Sequence, residues 1–375
     1  MRKRIIQILS VALGVLAFNL IGCQPSNEQS LQQIPSHPIQ KGVSAPFAGF
    51  VGQWMLVGGG CNFPNTPAAE GGKKVFYADV VACNVNSDSL QWLPGQNFPF
   101  PIAYGASVET EEGLICIGGV NEQTALKSVF RLEMNPKTAK VSIETLPSLP
   151  ETIDNAAATY FDQQLFVTGG NQGNGGQSLY TLHLKTDTAW TKLADYPGAK
   201  RIQPVLLAAD DALFLFGGFE VNANTKESTV SSDFIVYSIK DNRWGEPQEI
   251  PTMKNGGQRA LVGAAGVHVG SRLFLAGGVN YEIFKTAVEG KAPADYMKRP
   301  AEWYQFSKDL LFYDLQTKDW KVVTDVEGFN KAGGSLLHHD GSLYMVCGEI
   351  KPGIRTNEIV KKDLKELLSE EEGKI

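Results

Sequence analysis

Gly348-Glu349-Ile350-Lys351-Pro352-Gly353-Ile354-Arg355-Thr356 is the stretch from which both the fold and a candidate site can be read. Five earlier apolar runs end in paired glycines: Gly58-Gly59, Gly118-Gly119, Gly169-Gly170, Gly217-Gly218 and Gly277-Gly278. At the sixth, after Ser342 to Cys347, the pair reads Gly348-Glu349. On this alignment a slot that elsewhere has no side chain has received a carboxylate, and losing close backbone approach calls for a functional reason. Pro352 and Gly353 occupy the two central positions of a turn, which folds Arg355 back beside Glu349.

Working outward, the glycine pairs recur every 58 residues on average, with intervals of 48 to 71. Each unit carries a small-residue strand, an apolar strand entering the glycines, an alternating strand and a late aromatic. The last recurs as Trp92, Trp190, Trp244 and Trp320, with Ile143 in the second unit. Short glycine-flanked strands without convincing amphipathic helices predict an all-β repeat array. The sixth unit lacks its fourth strand. At the other end of the chain, Leu31-Gln32-Gln33-Ile34-Pro35 matches the fourth-strand text Ile143-Glu144-Thr145-Leu146-Pro147. Pairing that N-terminal segment with Thr356 to Val360 closes the ring and removes exposed edges. The expectation is one domain over residues 31–375, a six-bladed β-propeller whose last blade is closed by the N-terminal strand.

Residues 1–22 read as a leader. Arg2, Lys3 and Arg4 precede an apolar segment, Ile5 to Ile21, of signal-peptide length. Leu20-Ile21-Gly22-Cys23 resembles a bacterial lipobox, which implies lipidation at Cys23 and residues 23–30 as a tether. The expected location is the periplasm or outer membrane of a Gram-negative bacterium, with membrane contact only through the lipid. Without the leader the chain keeps 31 basic against 40 acidic side chains, about −9, which argues against a nucleic-acid partner. The sequence leaves the oligomeric state open, a dimer included. Cys61, Cys83, Cys116 and Cys347 lack metal-ligand spacing, and a Cys61–Cys83 disulfide stays open in an exported chain. His37, His183, His268, His338 and His339 give no metal constellation either, so no metal or cofactor is expected.

The second strands of propeller blades end near the axis, so Glu349 should face a shared central pocket. Residues opening the innermost strands should face it too: Tyr104, Asn155, Arg201, Gln203 and Arg259. Such a pocket suits a small polar molecule, and an arginine can engage both oxygens of a carboxylate. Long insertions in the first unit (Cys61 to Lys74) and the fifth (Val279 to Lys308) are further places where a site is built.

Paired glycines, a mid-repeat aromatic and a late tryptophan resemble the kelch motif. The stretch from Gly348 to Thr356 resembles that of the N-acetylneuraminate epimerases, the kelch-type sialic acid mutarotases. So does Gly277-Gly278-Val279-Asn280-Tyr281-Glu282-Ile283-Phe284, which adds Asn280 as a binding candidate. The resemblance implies Glu349 as catalytic acid/base, Arg355 as its partner and substrate ligand, and cofactor-free interconversion of the α and β anomers of N-acetylneuraminate. Here the motif lies in the last blade, whereas better-known members carry it mid-chain, a circular permutation that a closed ring tolerates. Two other functions fit the residues: a non-catalytic kelch surface lipoprotein binding glycan or protein, and the same chemistry on another acidic or amino sugar.

Overall fold

The computed structural model describes residues 33–372. Ile34 onward forms a single unit, built of six antiparallel sheets around an axis. Blade 1 runs through Phe47–Val51, Trp54–Gly58, Val80–Asn84 and Trp92–Pro94. Blades 2 to 5 repeat this order, starting from inner strands Ala106–Thr110, Ala157–Phe161, Val205–Ala209 and Ala264–Val269. Blade 6 has three strands: Ser335–His339, Ser342–Val346 and Ile359–Asp363. Each inner strand lies beside the next, and that of blade 6 lies beside that of blade 1, so the ring closes.

Alternating apolar residues bury both faces of each blade against its neighbours. Phe47, Leu56 and Phe98 pack with Leu114 and Phe130 between blades 1 and 2. Complete burial of one such side chain stabilises the fold by roughly 1.5–3 kcal/mol. The inner edge of blade 1 is satisfied by side chains of blade 2: Ser107 Oγ accepts from Ala48 N at 3.0 Å and Glu109 Oε1 from Phe50 N at 2.7 Å.

A closed circle of backbone hydrogen bonds surrounds the axis. Tyr104 N donates to Ala45 O, Asn155 N to Tyr104 O, Gln203 N to Asn155 O, Gly263 N to Gln203 O, Gly333 N to Gly263 O and Ala45 N to Gly333 O, at 2.6 to 3.2 Å. All six residues have positive φ, between 52° and 66°. For Ala45, Tyr104, Asn155 and Gln203 this conformation is disfavoured, and the surrounding ring holds it.

The glycine pairs form the second circle, and their register corrects the alignment drawn from sequence. The equivalent positive-φ pairs are Gly59-Gly60, Gly118-Gly119, Gly169-Gly170, Gly217-Gly218, Gly277-Gly278 and Cys347-Gly348. Gly60, Gly119, Gly170, Gly278 and Gly348 all donate to a carbonyl two residues before a member of the inner circle. A Cβ at Gly59, Gly118 or Gly277 would stand 2.3 or 2.4 Å from a carbonyl oxygen of the next blade. Cys347 occupies that slot with φ 53° and is buried beside Val43. Glu349 therefore replaces no glycine. It follows the pair, at the start of a rim hairpin.

The closing segment takes a form other than the ladder expected. Leu31 and Gln32 lie outside the described residues, and residues 33–38 are not a strand. Pro35 and Pro38 have no N–H to offer a ladder. Yet the segment stands in the place of a fourth strand. Trp190 Nε1 donates to Pro147 O and Trp244 Nε1 to Ala194 O of the preceding blade, and Trp92 Nε1 donates to Pro35 O in the same way, each at 2.9 Å. Ile34 packs with Leu337, Tyr344 and Ile359, and His37 N donates to Asn357 O at 2.7 Å.

The acidic C-terminal stretch is a helix, Leu364–Glu372, with Leu367 buried against blades 5 and 6. The blade 5 insertion also holds a helix, Tyr281–Val288, which the sequence reading took for loop. Asn280 caps it, its side chain accepting from Ile283 N.

Candidate active site

The hairpin that begins at Glu349 has strands Glu349–Lys351 and Ile354–Arg355, with Glu349 directly opposite Arg355. Gly353, at φ 82°, makes the turn and donates its N–H to Glu349 Oε1 at 2.8 Å. The hairpin is gripped from two sides. A Cβ on Gly353 would meet Ala68 of the blade 1 insertion at 2.6 Å and Met297 of the blade 5 insertion at 3.3 Å. Lys351 Nζ also donates to Arg299 O at 2.7 Å.

Arg355 Nη1 stands 2.7 Å from Glu349 Oε1, and its side chain is only 4% exposed. The guanidinium lies 4.9 Å from the Phe63 ring centroid. Nε and Nη1 have no hydrogen-bond partner, so the contact with Glu349 is an ion pair with buried donor capacity to spare. Burial raises the Glu349 carboxyl above its ordinary range; Arg355, the Gly353 N–H and Lys74 oppose that rise. An exposed hairpin salt bridge would show neither feature.

Glu349 lines a cavity of about 490 Å³ at the mouth of the axial channel, within the ~300–1,000 Å³ range of small-molecule sites. All six residues of the inner circle line it. Ala45, Gly263 and Gly333 leave space, whereas Tyr104, Asn155 and Gln203 bring polar residues to its lining. Gln203 Nε2 donates to Asn155 Oδ1 at 3.0 Å, and Asn155 Nδ2 donates to Asp154 Oδ1 at 2.6 Å. This relay fixes both amide orientations and leaves Gln203 Oε1 as an acceptor. The rest of the lining is largely aromatic and apolar, with Ile283 and Phe284 from the helix and Tyr296, Tyr304 and Phe306 from the remainder of the insertion.

Of the candidates from sequence, Glu349, Tyr104, Asn155, Gln203 and Asn280 meet on this cavity. Arg355 stands directly behind Glu349. Arg201 and Arg259 do not reach the cavity. Arg201 is spent on Asp233 at 2.6 Å and Gly217 O at 2.9 Å. Arg259 pairs with Asp309 at 2.9 Å and donates to Pro251 O at 3.2 Å. Both are buried cations already neutralised between strands, and they hold the fold. Cys23 lies outside the described residues.

Three residues near the pair were not named as site residues from sequence: Cys61, Phe63 and Lys74, all from the blade 1 insertion. Lys74 Nζ donates to Tyr104 Oη at 3.0 Å, and Cys61 Sγ lies 3.4 Å from the same oxygen. The only signal was the length of the insertion, because ring closure alone brings blades 1 and 6 together. Cys61, Cys83, Cys116 and Cys347 are all free and buried. Among the described residues, no three His, Cys, Asp or Glu side chains cluster as metal ligands would.

A kelch-type propeller with a glutamate–arginine hairpin at its axial cavity defines the class. The solved structure of YjhT has the same fold, at a TM-score of 0.61 and 14% identity over 88% of this chain and 96% of that one. The N-acetylneuraminate epimerase family model matches residues 146–370, which include the whole hairpin, and the chain belongs to that family. Among curated relatives, N-acetylneuraminate epimerase of Haemophilus influenzae strain PittEE is 32% identical over 248 residues, 63% of this chain and 62% of that protein. That of Salmonella typhi is 31% identical over 229 residues, 58% of each chain. The chain thus spans about three fifths of the length of the curated relatives it matches.

Proposed function

We propose that this protein is an N-acetylneuraminate epimerase (mutarotase) that interconverts the α and β anomers by opening and closing the sugar ring. The observation that carries this reading is Glu349, on the wall of the axial cavity with its carboxyl raised by burial and an arginine at its back. A general base works best when its pKa is drawn toward the working pH. Glu349 takes the proton of the anomeric hydroxyl, the bond from anomeric carbon to ring oxygen breaks, and the ring oxygen is protonated. Rotation about C2–C3 in the keto form precedes closure on the other face.

The polar wall of Asn155 and Gln203 suits sugar hydroxyls, and the aromatic wall suits a carbon face. Family membership supports the substrate, since the relatives are named for this sugar.

The direct test is NMR of freshly released α-N-acetylneuraminate. The protein should bring the anomers to equilibrium well ahead of buffer, and Glu349→Gln should not. Equal rates with and without wild-type protein refute the reading. Lipidation at Cys23 and an exported location, periplasmic or at the outer membrane, belong to the same proposal and rest on Leu20 to Cys23.

A further inference from the structure

We propose that Tyr104 is the second proton-transfer group of this cavity, its hydroxyl positioned by Lys74; the assignment rests on the anomerisation reading. Tyr104 lines the cavity together with Glu349. Its backbone cannot drift, because its N–H and carbonyl are both members of the inner circle, at 3.1 Å to Ala45 O and 2.7 Å from Asn155 N. A phenol has one proton to donate and two lone pairs to accept with. Lys74 Nζ donates to the Tyr104 oxygen at 3.0 Å, and Cys61 Sγ lies 3.4 Å from it with its one thiol proton also within reach of Ser44 O. With Lys74 on one lone pair the O–H remains free to be given, and no oxygen or nitrogen acceptor is recorded for it among the described residues.

The other polar groups on this wall suit the role less well. The Asn155 and Gln203 amides do not titrate near neutral pH. Lys74 does not line the cavity, although its charge is felt at Glu349. Its ammonium also sits 4.8 Å from the Tyr104 ring centroid, where it favours the phenolate that a departing proton leaves behind. Burial, followed by the neighbouring Cys61, raises the Tyr104 phenol above its ordinary value, so it rests protonated. One cavity thereby holds a carboxylate ready to accept and a phenol ready to give, the pairing that acid/base ring opening requires.

The step balances without any co-reactant. Glu349 removes the proton of the anomeric hydroxyl, and that oxygen becomes the keto oxygen. The electron pair of the breaking C–O bond goes to the ring oxygen, which takes the Tyr104 proton. In closure the phenolate recovers its proton from the attacking hydroxyl, and protonated Glu349 returns its own to the carbonyl oxygen. Both groups end as they began, on either anomer.

The test is steady-state anomer exchange by NMR on wild type, Tyr104→Phe, Lys74→Met and Lys74→Arg. Tyr104→Phe should lower kcat about 10²-fold, the usual scale for one proton-transfer group, with KM nearly unchanged. Small acids such as imidazolium should then raise the variant's rate in proportion to their concentration and leave wild type unaffected. A merely structural tyrosine would show no such rescue. Lys74→Met should lower kcat about tenfold and Lys74→Arg should restore it, on the same proton-transfer scale. A folded Tyr104→Phe with wild-type kcat overturns the assignment, as does a loss carried by KM alone. Should Tyr104→Phe fail to fold, Lys74→Met with wild-type kcat overturns it equally. If unmutated protein gives no exchange, the anomerisation reading itself has failed and this assignment falls with it.

Discussion

Acidification should loosen the ring at its closure, and His37 sets the pH at which it does so. The residue is 4% exposed, its backbone N–H binds Asn357 O, and its ring meets Trp92 edge-on at 5.9 Å. Burial lowers its pKa from 6.5 to about 4. The unfolded chain therefore takes up a proton near pH 6.5 that the folded chain refuses until about pH 4. Stability from this group is complete above pH 6.5 and is lost as pH falls toward 4, by about 3 kcal/mol over the window. Glu109 works in the opposite sense. Its carboxyl is raised from 4.5 to about 7 by burial, against the Phe50 N–H it accepts, so its contribution is present below pH 4.5 and lost as pH rises through 7. The two windows overlap, so wild type alone cannot separate them. His37→Asn keeps an acceptor near the Nδ1 position, which receives Ile39 N at 3.4 Å, and removes the titration. Urea unfolding of both proteins from pH 8 to pH 4 isolates the residue. The wild-type advantage should be constant above pH 7 and shrink by up to about 3 kcal/mol by pH 4. A difference that stays level across that range would refute the assignment of the acid response to His37.

Other expectations follow from the same geometry. Glu349→Gln should remain folded and lose on the order of 10²–10⁴ in anomerisation rate, read by saturation-transfer NMR; a folded variant as fast as wild type moves the base elsewhere. Arg355 is the largest influence holding the Glu349 carboxyl down against burial, so Arg355→Met should move the acid limb of the pH–rate profile to higher pH, and Arg355→Lys should move it less. An unmoved limb would detach the arginine from the base. Deleting residues 31–36 removes Ile34 from the core and the carbonyl that receives Trp92 Nε1, so thermal unfolding should shift clearly downward; an unchanged melting temperature would deny the segment its closing role. Cys23→Ser should release the protein from membranes of its native host, and lipid-free wild-type protein by mass spectrometry would count against the anchor.

What could be read from sequence, and what could not, divides by the range of the interaction. The Glu349–Arg355 apposition was legible because Pro352 and Gly353 fix a turn within seven residues, and local geometry needs no knowledge of the rest of the chain. The six units were legible because each repeats the same steric demand. The register of that demand was not. Gly58-Gly59-Gly60 offers two overlapping pairs, and at the sixth unit Cys347 occupies a conformation that glycine adopts elsewhere, so a pattern of letters placed Glu349 one residue away from its true setting. Arg201 and Arg259 failed for a related reason. Proximity to the inner circle in sequence does not decide whether a side chain turns toward the axis or between blades, and their partners Asp233 and Asp309 lie 32 and 50 residues on.

The groups around Tyr104 were hidden more deeply. Glu349 and Arg355 come from blade 6, Lys74 and Cys61 from the insertion of blade 1, and Tyr104 from the entry to blade 2. These are sequence extremes, and only the last joint of the ring makes them neighbours. The segment 34–37 that completes this joint therefore acts on the candidate site as well as on stability. Loosening it separates the glutamate from the tyrosine without touching either, so deletions there should depress anomer exchange at temperatures where the remaining blades are still folded.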